Sequence, residues 1–119
     1  MHNICHFEIP VDNSERAQKF YGELFGWSFD NMTIGGTSYW SIKTPDGIGG
    51  GLMQRQMNGQ QPVNYVLVTS VQESLDKAGK LGANVLVGRT PVPGMGWFAI
   101  VQDTENNTIG LWEEDKHAS

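Results

Sequence analysis

At 119 residues the chain is long enough for one domain with a real core and too short for two independent ones. A net charge of −5, with eight Lys and Arg residues scattered along the chain, argues against phosphate-backbone binding as the main activity. No apolar run approaches the roughly 20 residues of a membrane span, and the single cysteine, Cys5, excludes an internal disulfide framework.

From the amino terminus, Cys5, Phe7, Ile9 and Val11 alternate with His6, Glu8 and Pro10, the period of a strand with one face on a core. Asp12 with Glu15 reads as a capping box, so a helix is expected from near Asn13, with Ala17, Phe20, Tyr21, Leu24 and Phe25 as its apolar stripe. Gly26 stops it. Trp27 to Met32, Thr37 to Thr44 and Gly49 to Gln54 read as strands, with Pro45-Asp46-Gly47 a turn between the last two. Tyr39 and Trp40 face opposite sides of their strand, so at most one of them lines a given site. The polar stretch from Met57 to Pro62 is a connector.

The pattern then repeats at an offset of about 58 residues. Tyr65, Leu67 and Thr69 alternate with Asn64, Val66 and Val68; Ser70 with Glu73 is a second capping box; and Val71, Leu75, Ala78 and Leu81 form the inward stripe of a helix that ends at Gly82. Strands follow over Asn84 to Arg89, Trp97 to Gln102 and Thr108 to Glu113, separated by the Pro91-Pro93-Gly94 break and by a hairpin in which Asn106 or Asn107 takes a left-handed conformation. The expected fold is α+β: two tandem βαβββ modules, about 4–56 and 63–114, forming a curved mixed sheet with a concave ligand cavity in a single domain. A short tail follows. The amino terminus lacks the cationic-then-apolar order of a secretory signal, so the chain is expected to be cytoplasmic, without nucleic-acid or membrane partners.

His6-Phe7-Glu8-Ile9-Pro10-Val11-Asp12, Phe20-Tyr21-x-x-Leu24-Phe25-Gly26-Trp27, and Asp103 to Asn107 leading into Ile109-Gly110-Leu111-Trp112-Glu113 resemble the vicinal oxygen chelate superfamily of glyoxalases, bleomycin-resistance proteins and extradiol dioxygenases. The resemblance implies a small-molecule ligand, a homodimer and, in metal-dependent members, four His or Glu ligands from the first and fourth strands of each module. Carried onto this sequence, those positions fall on His6, near Gly51, on Asn64 and on Gly110. Glycine has nothing to coordinate with, and an Asn carbonyl is a weak ligand for a first-row ion. Strand parity sets Glu113 on the wrong face from Gly110 and Trp112, so it serves as a metal ligand only in an unusual register.

The resulting expectation is a small-molecule-binding protein of the glyoxalase/bleomycin-resistance type with an incomplete metal site; Gly51, Asn64 and Gly110 at three of the four ligand positions weigh against catalysis without deciding it, and against a cofactor, with a divalent metal as the alternative. His6, Glu8, Asn64, Trp97 and Trp112 are its candidate ligand contacts, His6 and Glu8 its candidate acid–base pair, and His6 its one first-strand metal donor. The alternatives are a divalent-metal-dependent lyase, isomerase or dioxygenase, and an interaction domain whose cavity is filled by its own side chains. No phosphate loop, nucleophile elbow, paired-cysteine zinc motif or dinucleotide fingerprint is present.

Overall fold

A computed structural model describes residues 1–34 and 36–119. The elements run β1 (Ile4–Val11), α1 (Ser14–Phe25), β2 (Ser28–Ile34), β3 (Thr37–Lys43), β4 (Gly50–Gln54), β5 (Val63–Leu67), α2 (Val71–Lys80), β6 (Asn84–Val92), β7 (Gly96–Gln102) and β8 (Thr108–Glu114). This is the α+β class with the βαβββ order written twice. The chain divides into two compact units, His6–Pro62 and Met1–Cys5 with Val63–Ser119.

In the unit His6–Pro62 the strand order is β2-β3-β4-β1, antiparallel except for the parallel β1–β4 pair. The odd residues of β1 face a core of Val11, Ile42 and Leu52, against which Phe7, Ile9, Ala17, Tyr21, Trp27, Phe29 and Trp40 pack. Tyr21 stacks on Trp27 with ring centroids 5.3 Å apart. Only part of the expected helix stripe reaches this core. Phe20, Leu24 and Phe25 are more than half exposed, because a helix on a sheet buries a narrower arc than these five positions span.

The helix start also differs from the expectation. Asn13, not Asp12, is the N-cap, its side chain accepting from the Arg16 N–H at 3.0 Å. Asp12 is engaged instead by Arg55, whose Nε donates to its carboxylate at 3.1 Å. The same guanidinium donates to the carbonyls of Pro10 and Gln60 and so ties the connector to the end of β1.

In the other unit the order is β5-β8-β7-β6, with β5–β8 parallel and the rest antiparallel. Met1–Cys5 belongs here: His2 N–H donates to the Leu67 carbonyl at 3.0 Å and Leu67 N–H to that of Asn3 at 2.9 Å. The core is Val68, Val71, Leu75, Ala99 and Val101, with Ser70 capping α2 through the Glu73 N–H as expected. Leu81 lies outside it, 68% exposed. β6 runs on through Pro91 to Val92, beyond the expected stop, because an edge strand tolerates a residue with no N–H to donate. Asn106 takes the left-handed conformation in the last hairpin.

From Asn13 to Ser70 the two caps are 57 residues apart, one fewer than the sequence alignment of the modules assumed. The correction changes which residues are equivalent. Glu8 corresponds to Tyr65, and Gly51 to Gly110, since Glu8 pairs with Gly51 and Tyr65 with Gly110 in the two parallel ladders.

Candidate functional site

Parity turns His6, Glu8 and Pro10 away from the core of the unit His6–Pro62, onto the face opposite α1. The ladders then assemble their neighbours. Glu8 lies beside Gly51 on β4, Gly51 beside Ser41 on β3, and Tyr39 beside Met53. Of the pair left open by the sequence, Tyr39 is the one on this face, while Trp40 packs into the core.

These side chains form one polar group. His6 Nε2 and the Tyr39 hydroxyl are 2.7 Å apart, a hydrogen bond, and His6 Nε2 lies 3.9 Å from Glu8 Oε2. The Glu8 carboxylate also acts on the hydroxyl electrostatically. Burial holds the imidazole below its ordinary pKa of 6.5, outweighing the attraction of Glu8 for the charged ring. Burial, and after it the neighbouring Glu8 carboxylate, hold the Tyr39 phenol far above its ordinary value. At neutral pH the imidazole is therefore neutral and the phenol protonated.

The His6 shift carries a sign for stability. Because the folded-state pKa lies below the unfolded value of about 6.5, the unfolded chain binds the proton more readily. Stability is complete above about pH 6.5 and falls as pH drops through the folded-state value. We expect the His6 Cε1–H resonance to titrate below pH 6.5, and the loss of stability toward acid to be smaller in His6→Gln, compared by urea midpoints at pH 7.5 and 5.

Gly51 explains how the phenol fits. A Cβ built on Gly51 would overlap the Tyr39 hydroxyl and lie 2.6 Å from ring carbon Cε1. The space into which a fourth-strand ligand would project is thus filled by tyrosine. A glycine inside a strand signals such a close approach, but the approaching group cannot be read from the glycine.

The second unit repeats the construction with an apolar result. A Cβ on Gly110 would run into the ring of Tyr65, itself 4% exposed. Trp112 shares this face, its ring packed over Gly96, where a Cβ would come within 2.6 Å. Trp97 lies on the other face. Its indole N–H donates to Asp115 Oδ2 at 3.0 Å, and the Arg89 guanidinium sits 3.5 Å above its ring, so it braces the C-terminal segment. Asn64 is exposed and has the parity of Val66, which packs on the α2 core, and not that of Tyr65 and Gly110. Glu113 is also on the helix side. The β7–β8 ladder runs without a register shift, and Glu113 Oε1 accepts the Val71 N–H at 2.9 Å, satisfying a donor at the start of α2. Cys5 is half-buried, with its thiol 3.6 Å from the Tyr65 carbonyl and its pKa pushed up by burial.

The donors present do not fit the chelated metal that the resemblance implies. Gly51 and Gly110 have no ligand atom, and aromatic side chains fill the directions a ligand would take. Among the described residues, no three His, Cys, Asp or Glu side chains are grouped to hold an ion.

Two βαβββ units, each closed by a parallel pairing of its first and last strands, define the vicinal oxygen chelate fold. Residues 3–42 match the bleomycin resistance protein-like N-terminal family. The chain is 25% identical over 117 residues to CFP32 of Mycobacterium bovis, a protein named provisionally as a glyoxylase, covering 92% of this chain and 45% of CFP32. It thus spans about half the length of that relative. A glyoxalase/bleomycin resistance protein/dioxygenase superfamily member from Vibrio splendidus superposes with a TM-score of 0.72 at 10% identity, over 96% of this chain and 100% of that one. Methylmalonyl-CoA epimerase from Mycobacterium tuberculosis gives 0.74 at 13% identity, over 94% and 87%. These likenesses in sequence and in fold support the vicinal oxygen chelate assignment. Among the described residues no helix is long and apolar enough to cross a membrane.

Proposed function

We propose that the chain is a small-molecule-binding protein that takes its ligand on the His6, Glu8 and Tyr39 face without a chelated metal. The observation that carries this reading is the tyrosine hydroxyl bonded to His6 in the space beside Gly51. The half-exposed polar group, with His6 and Glu8 side chains 34% and 19% accessible, offers the few convergent polar atoms that orient a ligand. Metal analysis of protein purified without chelator, beside a His6→Ala variant, tests it. Substoichiometric metal in both is expected; a stoichiometric ion that disappears in the variant overturns the reading.

A second reading is an isomerase or lyase that works by proton transfer. It is favoured by the likeness in fold to an epimerase and by the hydrogen-bonded His6–Tyr39 pair with the Glu8 carboxylate 3.9 Å from the imidazole. Turnover of a carbonyl substrate that is lost in both Glu8→Gln and Tyr39→Phe would select it. A homodimer is proposed as the assembly, to be checked by sedimentation.

A further inference from the structure

An asparagine side chain can close on its own backbone when the nitrogen of the next residue reaches its Cγ, a five-membered ring closure governed by the freedom of that next residue. Glycine allows it best, having no Cβ to crowd the nitrogen or to restrict φ. Of the asparagines in the chain only Asn58 precedes a glycine.

The structure presents this pair openly. Asn58 and Gly59 are exposed in the connector, in a turn closed by a long bond of 3.3 Å from the Gln60 N–H to the Met57 carbonyl. Gly59 has φ +80°, and no atom beyond its chain neighbours lies within 4 Å of where its Cβ would be. The other asparagines lack this freedom. Asn13 is exposed and precedes the small Ser14, but its side-chain oxygen accepts from the Arg16 N–H as the cap of α1. The nitrogen that would attack Asn106 is engaged, since Asn107 N–H donates to Asp103 Oδ1 at 2.9 Å. Asn31, Asn64 and Asn84 lie in strands, and Asn3 and Asn107 precede the β-branched Ile4 and Thr108.

We propose that Asn58 is a site of spontaneous deamidation, and that its isoaspartyl product loosens the hold of Arg55 on the connector. The Gly59 nitrogen bonds to Asn58 Cγ, the bond from Cγ to the side-chain nitrogen breaks, and ammonia leaves carrying the Gly59 amide hydrogen. Water then opens the cyclic imide. Addition at Cγ gives aspartate; addition at the main-chain carbonyl gives isoaspartate, in which the backbone runs through the side chain and gains one carbon. Either product carries one further negative charge. Only isoaspartate lengthens the backbone inside the turn, which ends on Gln60, and the carbonyl of Gln60 accepts from Arg55 while its side chain accepts from the Gln56 N–H at 2.8 Å. Arg55 then retains Asp12 and the Pro10 carbonyl alone. Nothing in this chemistry depends on a ligand.

The full chain is incubated at pH 8, and its peptides are mapped for the gain of one mass unit at each asparagine. Asn58 is expected to convert at least tenfold faster than Asn13 or any other asparagine, and Asn58→Gln to remove the main acidic species on ion exchange. Conversion at Asn13 as fast as at Asn58 overturns the site, as does an unchanged Asn58 in the folded protein where the urea-unfolded chain converts. The isoaspartyl form, identified by labelling with an isoaspartyl methyltransferase, is then compared with Asn58→Asp, which carries the same charge on an unaltered backbone. It is expected to unfold at a lower urea concentration than Asn58→Asp, and the gap is expected to close in Arg55→Gln, where the hold is already gone. Equal midpoints, or a gap that survives in Arg55→Gln, overturn the loosening of Arg55.

Discussion

Gly51→Ala should expel Tyr39 from its bond with His6 and destabilise the protein by about 1–3 kcal/mol, the usual range for forcing an extra carbon into a packed site. The new methyl would overlap the phenol oxygen and crowd the rigid ring, so rotation of the hydroxyl alone gives no relief. The ring has to swing out from between His6 and Glu8. That removes the hydrogen bond to His6 and opens the imidazole to water. Two measurements separate this from a general loss of packing. The urea midpoint should fall, and the His6 pKa should rise toward its ordinary value as its burial is relieved. Tyr39→Phe removes the overlapping oxygen, so the double variant should lose less stability than the two single changes summed, a coupling that a double-mutant cycle reads directly. Wild-type stability in Gly51→Ala with an unmoved His6 resonance would refute the arrangement.

The scaffold was legible because it is carried by local signals: alternating strands, short acceptors before apolar helices, and glycines after them. The slip of one residue between modules shows where such signals stop. Asp12 and Asn13 are both good caps, and the choice was made by Arg55, some 43 residues away, which takes the Asp12 carboxylate. That slip aligned His6 with Asn64, whereas the ladders align Glu8 with Tyr65.

Parity was the more dependable guide at the site. It correctly set Glu113 on the helix side, although its partner, the Val71 N–H, is invisible to pattern. It divided Tyr39 from Trp40 but could not orient them, because the face a strand presents is decided by its pairing with β4. In the sequence the glycines at 51 and 110 stand where ligands are expected. They were also the available sign of aromatic side chains lying across the strand, and that second meaning points to Tyr39. Trp97 misled for the opposite reason: an aromatic next to a turn resembles a pocket wall until Arg89 and Asp115 are seen to hold it.

Leu52→Ala should cost about 2–5 kcal/mol, the range for truncating a buried leucine to alanine. Leu52 is fully buried at the centre of β4, paired in register with Ile9 on one side and Trp40 on the other, and packed with Val11 and Ile42. Its neighbours are anchored in the paired strands on either side, so collapse around the missing atoms is limited and a cavity remains. Against a typical total of about 5–15 kcal/mol this is a large fraction, and the urea midpoint should drop accordingly. Leu24→Ala is the comparison: 57% exposed on α1, it should change stability by no more than about 0.5 kcal/mol. The change also bears on the site, since Leu52 supports from the core side the strand that presents Gly51 to Tyr39. If packing beneath β4 holds that geometry, the His6–Tyr39 bond should loosen in Leu52→Ala and persist in Leu24→Ala, read as the His6 pKa in each. Equal urea midpoints for the two variants would contradict the assignment of Leu52 to the centre of this core.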